Sequence, residues 1–255
     1  MLTAGLDIGS VSTNAVLLAN GKLIASVILP SGYNHQETAE RAWQMILQQG
    51  QASAAQLKTI VATGYGRYNV PFASKQISEI SCIAKGARHW FPDVRTVIDV
   101  GGQDSKVIKL DSEGYVADFV MNDKCAAGTG RFIEVMAQAL QLEVSALEQE
   151  DLLAASGAQI SSICTVFAES EVISLIGQGV ARPKIVKGLH QAVASRVGSL
   201  AKRLKLEEPL LVTGGVAKNQ GVVVALAAEL GLKLLVPEEP QLVGALGAAL
   251  IAAQE

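Results

Sequence analysis

An Asp-x-Gly turn occurs twice in this chain of 255 residues, at Asp7 and again at Asp99, and each copy follows an apolar segment. When DIGSVSTNAVLL is placed over DVGGQDSKVIKL, the Asp, the Gly, a hydroxyl at Thr13 and Ser105, and the final Leu coincide. Further strand-like segments, NGKLIASVIL and DSEGYVADFV, follow the two copies, which predicts two antiparallel meanders. The repeat therefore predicts two related halves with a ligand cleft between them.

The Asp-x-Gly pattern suits phosphate binding. It places a carboxylate at a strand end, and the glycine lets backbone N–H groups turn closely around an anion. A single copy is equally consistent with a hairpin turn that binds nothing. Because the two copies share one register, we favour the phosphate interpretation.

A third glycine turn, LLVTGGVAKNQ at residues 210–220, lies between an apolar strand and the helix-like GVVVALAAEL. This arrangement predicts backbone placed against a flat ligand such as adenine or ribose. The sequence contains neither G-x-x-x-x-G-K-[ST] nor G-x-G-x-x-G, so it supports neither a P-loop nor a Rossmann site.

Composition narrows the class of protein. The chain is 49% hydrophobic with a formal net charge of -3, which predicts one large or two modest globular domains. Aromatic residues make up only 4%, and mixed charges leave no basic stripe, so we expect no nucleic-acid partner. The start MLTAGLDIGS lacks a signal-peptide pattern, and the apolar run 242–253 falls short of the ~20 residues that span a bilayer. We therefore expect a cytoplasmic protein with no membrane partner.

Three cysteines, Cys82, Cys125 and Cys164, form no C-x-x-C pair, and disulfides are disfavoured in a reducing compartment. Cys125 precedes a segment with apolar residues at every fourth position, which predicts a helix over 126–140, and Cys164 precedes a second helix-like segment. Both thiols are thus expected near helix N-termini, where positive partial charge lowers a thiol pKa and favours anions.

Three interpretations of these cysteines stay open on the residues alone. Each thiol suits a small buried hydrophobe, and Cys82 is interpreted that way. A nucleophile would want a nearby histidine, but His35, His89 and His190 show no motif spacing to Cys125 or Cys164. Zinc and iron-sulfur sites usually take four cysteine-type ligands, which two copies of the chain on a twofold axis would supply.

The three turns together resemble a known superfamily. DIGSVSTN resembles the first phosphate motif, DVGGQDSK the second and LVTGGVAKN the adenosine motif of the actin, sugar kinase and Hsp70 ATPases. The resemblance implies an α/β, actin-like ATPase fold of two ribonuclease-H-like domains, each a mixed sheet with flanking helices, closing on Mg-ATP. The first domain would comprise residues 1–97 plus 240–255, with a returning helix at 243–253, and the second residues 98–239.

Longer motifs resemble one family within it. MNDKCAAGTGRFIE and SSICTVFAESEVISLIGQG, with TGYGR at 63–67 and VIDVGGQDSK at 97–106, are similar to the 2-hydroxyacyl-CoA dehydratase activators of the BadF/BadG/BcrA/BcrD ATPase family. This implies a homodimer in which Cys125 and Cys164 of both subunits hold one oxygen-sensitive [4Fe-4S] cluster. It also implies ATP-dependent electron transfer to a dehydratase or reductase component, with ferredoxin or flavodoxin as reductant.

The same resemblance assigns roles in the ATP site. Asp7 is expected to position water-bound Mg²⁺, and Gln103 or Asp104 to orient the attacking water, although either of these two equally suits a cap. Backbone and hydroxyl groups are expected to hold the phosphates at Gly9, Ser10, Ser12 and Thr13 on one side and at Gly101, Gly102 and Gln103 on the other. The nucleoside is expected against Gly214, Gly215 and Asn219, with Glu134 as a further candidate. Domain closure would tilt the helix after Cys125 and so link the nucleotide to the cluster.

Two rival functions remain. A small-molecule kinase of the same fold would need a carboxylate base, and phosphorylation of an added sugar or acyl acid would reveal it. A nonenzymatic, zinc-linked ATP sensor would be dimeric and colourless, and metal analysis would identify it.

Overall fold

The structure is a computed structural model that describes residues 1–161 and 164–254. Ser162 and Ile163, within the second signature segment, and Glu255, at the end of the expected first domain, lie outside the described residues. In the described parts the strands are β1 (Leu2–Ile8), β2 (Ser12–Ala19), β3 (Lys22–Pro30), β4 (Leu57–Thr63), β5 (Lys75–Gln76), β6 (Thr96–Val100), β7 (Ser105–Leu110), β8 (Val116–Asn122), β9 (Leu210–Thr213) and β10 (Leu234–Leu235). The α-helices are α1 (His35–Gln49), α2 (Glu79–Trp90), α3 (Gly130–Ala139), α4 (Leu147–Leu152), α5 (Thr165–Gly177), α6 (Arg182–Ala201), α7 (Gln220–Leu230) and α8 (Val243–Ala252).

The first sheet has the strand order β3-β2-β1-β4-β5. Strands β1, β2 and β3 pair antiparallel in chain order, whereas β1 pairs parallel with β4 and β4 with β5. The first predicted meander is confirmed, and the sheet is mixed. Its register places Asn14 directly opposite Asp7.

Helices cover both faces of this sheet. Successive side chains of a strand point to opposite faces, so one strand can pack against helices on either side. Leu17 packs in the cluster that contains Trp43 of α1, while its neighbours Val16 and Leu18 pack with Leu246 of α8. The Trp43 ring stacks on Phe72 with 5.4 Å between ring centroids. Alternate side chains of β2 therefore belong to two different hydrophobic clusters, one on each face of the sheet.

Glycines bring α8 close to its neighbours. A Cβ at Gly5 of β1 would lie 2.1 Å from the Ala245 carbonyl oxygen, and one at Gly86 of α2 would lie 2.0 Å from the Val243 carbonyl oxygen. Either atom would collide with helix backbone, so the close packing of α8 on β1 and α2 requires hydrogen at both positions. The helix predicted over 243–253 is confirmed and folds back onto the first strand.

The second sheet has the order β10-β9-β6-β7-β8. Hydrogen bonds from Leu110 N to Arg95 O and from Gly101 N to Asp104 O lie at the two ends of the β6–β7 hairpin, so these strands are antiparallel. A tight turn with a bond from Asp111 N to Tyr115 O leads into β8. The second predicted meander is confirmed, and the parallel pair β9–β10 makes this sheet mixed as well.

The chain divides into two compact units. The first comprises residues 1–97, 108–118 and 237–255, and the second residues 98–107 and 119–236. The core of the second unit combines strand residues such as Ile98 with Phe132 and Met136 of α3. The boundaries expected for two ribonuclease-H-like domains stay a prediction; the tip of the β7–β8 hairpin groups with the first unit. No helix among the described residues is long and apolar enough to cross a membrane.

Candidate functional site

The first Asp-x-Gly turn is tightened by hydrogen bonds within the first unit. Gly9 N donates to Ser12 O at 2.9 Å, and the hydroxyl of Ser31 donates to Gly9 O at 2.6 Å. The hydroxyl of Thr13 lies 3.0 Å from that of Ser31 and is fully buried, whereas Ser10 and Ser12 are half-buried. Thr13 therefore supports the turn through Ser31, and the phosphate contact predicted for it stays a prediction. Nothing in the sequence pattern had indicated Ser31.

Two glycines leave space for the carboxylate of Asp7. A Cβ at Gly64, where φ is +83°, would lie 2.3 Å from Asp7 Oδ1, and a Cβ at Gly244 would lie 2.3 Å from Asp7 Oδ2. Gly64 belongs to the TGYGR motif and Gly244 to the first turn of α8. The glycine of this motif therefore leaves room for the carboxylate that was predicted to position Mg²⁺.

The side chain of Asn14, a residue for which the sequence predicted no role, lies on the strand position opposite Asp7. Directly opposed residues of antiparallel strands project to the same face with Cβ atoms about 5 Å apart. Asn14 is 5% exposed, and its Oδ1 has no hydrogen-bond partner among the described residues. A buried acceptor without a donor is costly, and carboxylate and amide oxygens are the groups that Mg²⁺ and its bound waters prefer.

In the second Asp-x-Gly turn a buried cation lies between two carboxylates. Lys106 Nζ lies 2.7 Å from Asp104 Oδ1 and 3.6 Å from Asp99 Oδ2, and its side chain is only 3% exposed. Asp99 Oδ1 also accepts a 2.8 Å bond from the Thr213 hydroxyl. Asp104 thereby braces its own turn, while Gln103 is exposed at the tip. Of the two residues predicted to orient water, Gln103 has the more accessible side chain.

Replacing Gly101 with Val should weaken binding of a nonhydrolysable ATP analogue about tenfold or more, because a side chain would stand where backbone N–H groups are expected to meet phosphate. The new Cβ would also lie 2.9 Å from Asp104 Oδ1 and 3.3 Å from Asp104 O. Titration calorimetry measures the change. Gly177→Val is the matched control, since a Cβ there has no atom within 4 Å among the described residues; equal affinities for the two variants would remove Gly101 from the site.

The third turn follows β9 and enters a 3₁₀ turn over Gly215–Lys218 before α7. Gly214 has φ +86°, and a Cβ there would lie 2.3 Å from Val100 O. Asn219 caps α7 by accepting from Val222 N at 3.2 Å, and its Nδ2 lies 3.1 Å from His190 Nε2. Because both ends of this buried amide are engaged inside the unit, the nucleoside contact predicted for Asn219 stays a prediction, and the structure shows a supporting role.

The loop around Cys125 is fixed by neighbouring strands. Asn122, at the end of β8, donates its amide to Cys125 O at 2.7 Å. Ser105, at the start of β7, donates its hydroxyl to Gly128 O at 2.6 Å, and Gly128 has φ +84°. Cys125 itself is half-buried. The backbone on both sides of the thiol is therefore held in place.

The helix predicted over 126–140 begins only at Gly130, which corrects its start. Both the backbone N–H and the hydroxyl of Thr129 donate to Ala126 O, which forms a turn in place of the first helical turn. Gly130 N and Arg131 N donate at 2.8 Å to the carbonyl oxygens of residues 101 and 102 in the second Asp-x-Gly turn. The first N–H groups of α3 are thus bonded to the predicted phosphate loop, and Cys125 lies five residues before the helix.

Glu134 points along the exposed side of α3, where it accepts a 3.2 Å bond from Arg131. The nucleoside contact predicted for it stays a prediction.

Cys164 lies at the residue before α5 and is half-buried. The helix that it precedes exposes large apolar side chains, with Phe167 65% exposed, and the others are Val166, Ile173 and Ile176. Among the described residues no group of three or more His, Cys, Asp or Glu side chains is placed to hold a metal ion.

Cys82 has the environment of an inert thiol. It is fully buried in α2, and burial raises its pKa to about 12. In metal-free protein we expect iodoacetamide to modify Cys125 and Cys164, while Cys82 reacts only after unfolding, because the thiolate is the reactive form. Peptide mass spectrometry reads the sites. Modification of Cys82 at the rate of the other two in folded protein would contradict this expectation.

The two mixed sheets with their flanking helices form the actin-like ATPase fold. The chain belongs to the BadF/BadG/BcrA/BcrD ATPase family, whose sequence profile matches residues 4–252. The family resemblance and the predicted fold class are both confirmed.

Relatives match over the full length. The chain is 49% identical over 253 residues to the activator of lactoyl-CoA dehydratase from Anaerotignum propionicum, which covers 99% of this chain and 97% of the relative. It superposes with a TM-score of 0.95 and 46% identity on the activator of the 2-hydroxyisocaproyl-CoA dehydratase from Clostridium difficile with bound ADPNP, covering 100% and 95% of the two chains. The (R)-2-hydroxyglutaryl-CoA dehydratase component A from Acidaminococcus fermentans gives a TM-score of 0.96 at 42% identity, covering 100% and 98%.

Proposed function

We propose that this protein is an ATP-dependent activator that passes one electron from an interfacial [4Fe-4S] cluster to a 2-hydroxyacyl-CoA dehydratase-type partner, coupled to ATP hydrolysis. The carrying observation is the pair of half-buried thiols, Cys125 and Cys164, in a chain similar over its full length to dehydratase activators. The partner follows from the names of those relatives, and we expect ferredoxin or flavodoxin as reductant.

The donor set fits an iron-sulfur cluster shared by two subunits. A [4Fe-4S] cluster takes four thiolates and, when bound, supplies a one-electron carrier. Cys125 and Cys164 of two chains on a twofold axis would provide the four ligands. The exposed apolar side chains of α5, which begins just after Cys164, support burial of this helix against a second copy. An exposed cluster at such an interface would also be oxygen-sensitive.

For the nucleotide, the first unit would position the Mg²⁺ ion through the water molecules bound to it. We infer that the carboxylate of Asp7 and Oδ1 of Asn14 accept hydrogen bonds from waters on Mg²⁺, which would satisfy the buried Asn14 oxygen. The backbone N–H of Ser10, with the Ser12 hydroxyl, would bind phosphate. Gly9, whose N–H closes the turn on Ser12 O, would allow the phosphate to approach the backbone closely.

From the second unit, the backbone N–H groups of Gly102 and Gln103 would bind phosphate, and Gly101, whose N–H closes the turn on Asp104 O, would leave room for it. The exposed side chain of Gln103 would orient the attacking water. Gly214 and Gly215 would present backbone to the nucleoside.

The hydrogen bonds from α3 to the second turn give a physical route between nucleotide and cysteine loop. The carbonyls of residues 101 and 102 accept from Gly130 and Arg131 and belong to the same peptide units as the N–H groups of residues 102 and 103. A phosphate drawing those two N–H groups would therefore also pull on the carbonyls. ATP biases such a shift only if it binds one arrangement better than the other, and the effect is then reciprocal.

The test compares ADPNP with ADP at saturation in anaerobic, reduced protein. ADPNP should alter the electron paramagnetic resonance signal and the rate of iron removal by a chelator, and ADP should do so less. Gly130→Pro removes one donor to the turn while suiting the first helical position, so the ADPNP effect should shrink. Gly130→Ala keeps the N–H and adds only a Cβ, 3.3 Å from Gly101 O, so it is the control for added bulk. Identical spectra and chelation rates with both nucleotides would refute the coupling.

The rival functions predict other results. A small-molecule kinase would phosphorylate an added sugar or acyl acid, and a zinc-linked sensor would be colourless with zinc bound after anaerobic reconstitution.

A further inference from the structure

A chain of buried polar side chains leads from α4 to the glycine turn after β9. Asp151 Oδ2 lies 2.5 Å from His190 Nδ1, and His190 Nε2 lies 3.1 Å from Asn219 Nδ2. The three residues are 7%, 1% and 9% exposed. Lys187 Nζ bonds the other carboxylate oxygen of Asp151 at 2.6 Å. Buried polar groups of this kind are costly unless each is paired, and here each one is.

A backbone N–H of α7 determines which nitrogen of His190 carries its proton. Val222 N–H donates to Asn219 Oδ1, so the Asn219 amide presents its NH₂ group to His190. His190 Nε2 must then accept, and Nδ1 carries the proton donated to Asp151. Rotating the amide by half a turn would set its NH₂ group against the Val222 N–H. The geometry therefore requires neutral His190.

Charges around His190 agree with that requirement. Burial lowers the pKa of His190 below its ordinary value of 6.5, and Lys187 on α6 acts in the same direction, whereas Asp151 and Glu148 on α4 oppose them. Burial raises the pKa of Asp151, but hydrogen bonds from Lys187 and His190 hold it below its ordinary value. At neutral pH the pair is thus carboxylate and neutral imidazole.

Helix α7 contributes a glycine instead of a charge. A Cβ at Gly221 would lie 2.3 Å from His190 Nδ1 and 2.8 Å from Asp151 Oδ2. The first turn of α7 consequently rests directly on the His190–Asp151 pair, and movement of that pair moves the segment containing Asn219.

We propose that Asp151 and His190 are positioning residues that hold Asn219, and with it the turn 214–219, in its nucleoside-binding conformation, so that protonating His190 weakens nucleotide binding. This inference rests on the proposed function of that turn. Protonated His190 carries N–H on both nitrogens, and its Nε2–H would face the Asn219 NH₂ group. Because neither donor can turn away without losing another bond, the cap of α7 and the turn before it loosen.

The experiment measures the Kd of Mg-ADPNP by calorimetry between about pH 8 and about pH 5.5. In His190→Gln the Oε1 atom can accept from Asn219 and carries no charge at any pH. The affinity of the wild type should fall about tenfold relative to that of His190→Gln as the pH is lowered. Taking the ratio at each pH cancels protonation of ADPNP itself. His89→Gln, at an exposed histidine of α2, should keep the wild-type profile.

Lys187→Met tests the same inference without altering the histidine. Losing this cation makes His190 easier to protonate, so the fall in affinity should move to higher pH. Lys202→Met, which removes a surface lysine paired with Glu229, should not move it. A wild-type to His190→Gln ratio that stays constant with pH, or unaltered midpoints in Lys187→Met, would overturn the inference. Absence of ADPNP binding at every pH would instead refute the proposed ATP site.

Discussion

Anaerobically purified Cys125→Ser protein should be colourless, whereas the wild type should be brown with about four irons per dimer. Cys164→Ser should give the same result, because a cluster that takes two thiolates from each subunit loses two ligands per dimer when either cysteine is replaced. The two thiols are half-buried and lie in a fixed loop and at the start of α5. Iron analysis and the visible absorption spectrum measure the loss.

Cys82→Ser is the matched control. Cys82 is fully buried in α2 within the first unit, so its removal should leave the iron content unchanged. Two outcomes would contradict the assignment: iron content that survives replacement of Cys125, and a colourless wild type that binds zinc on anaerobic reconstitution. The second would favour the zinc-linked sensor.

Asp7→Ala should reduce Mg²⁺-dependent ATP hydrolysis roughly 100-fold while leaving the brown colour intact. The reason is that the carboxylate, for which Gly64 and Gly244 leave room, would position the ion that neutralises phosphate charge. A phosphate-release assay at saturating Mg-ATP gives the rate, and the absorption spectrum of the same sample reports the cluster.

An aspartate outside the site provides the comparison. Asp93 is exposed in the loop before β6, so Asp93→Ala should hydrolyse ATP at the wild-type rate. Unchanged hydrolysis in Asp7→Ala would exclude Asp7 from the site, and loss of colour together with activity would indicate that the variant had misfolded.

Local patterns were sufficient to predict the strands of both meanders and β9, but β4, β5 and β10 were not predicted. The apolar segments that end in Asp-x-Gly, with the strand-like segments after them, predicted both meanders. The apolar run beginning at Val243 predicted α8. The spacing of four residues between Phe132, Met136 and Leu140 identified the buried face of α3, but it did not identify the residue at which the helix begins. That start depends on hydrogen bonds within residues 126–129 and to the turn at 101–102, which side-chain periodicity does not encode.

Sequence reasoning missed the residues whose partners lie far away along the chain or depend on how a hairpin folds. Lys106 stands in the recognised motif, yet its place between Asp99 and Asp104 follows from how the hairpin folds. His190 and Asp151 are 39 residues apart and meet only because α4 packs on α6. The sequence had offered only a lone histidine in a helical stretch that also contains Lys187 and Gln191, and such a histidine is more often a satisfied core residue.

The positions of the tryptophans, one of which stacks on Phe72, have a consequence for spectroscopy. The chain has two tryptophans, Trp43 in α1 and Trp90 at the end of α2, and both belong to the first unit. Intrinsic indole emission therefore monitors melting of that unit alone, while far-ultraviolet dichroism records the helices of both. If the two units melt at separate temperatures, the two optical curves will not coincide, which is the standard sign that a single two-state transition does not describe unfolding. An indole introduced into the second unit would make its melting visible to the same fluorimeter.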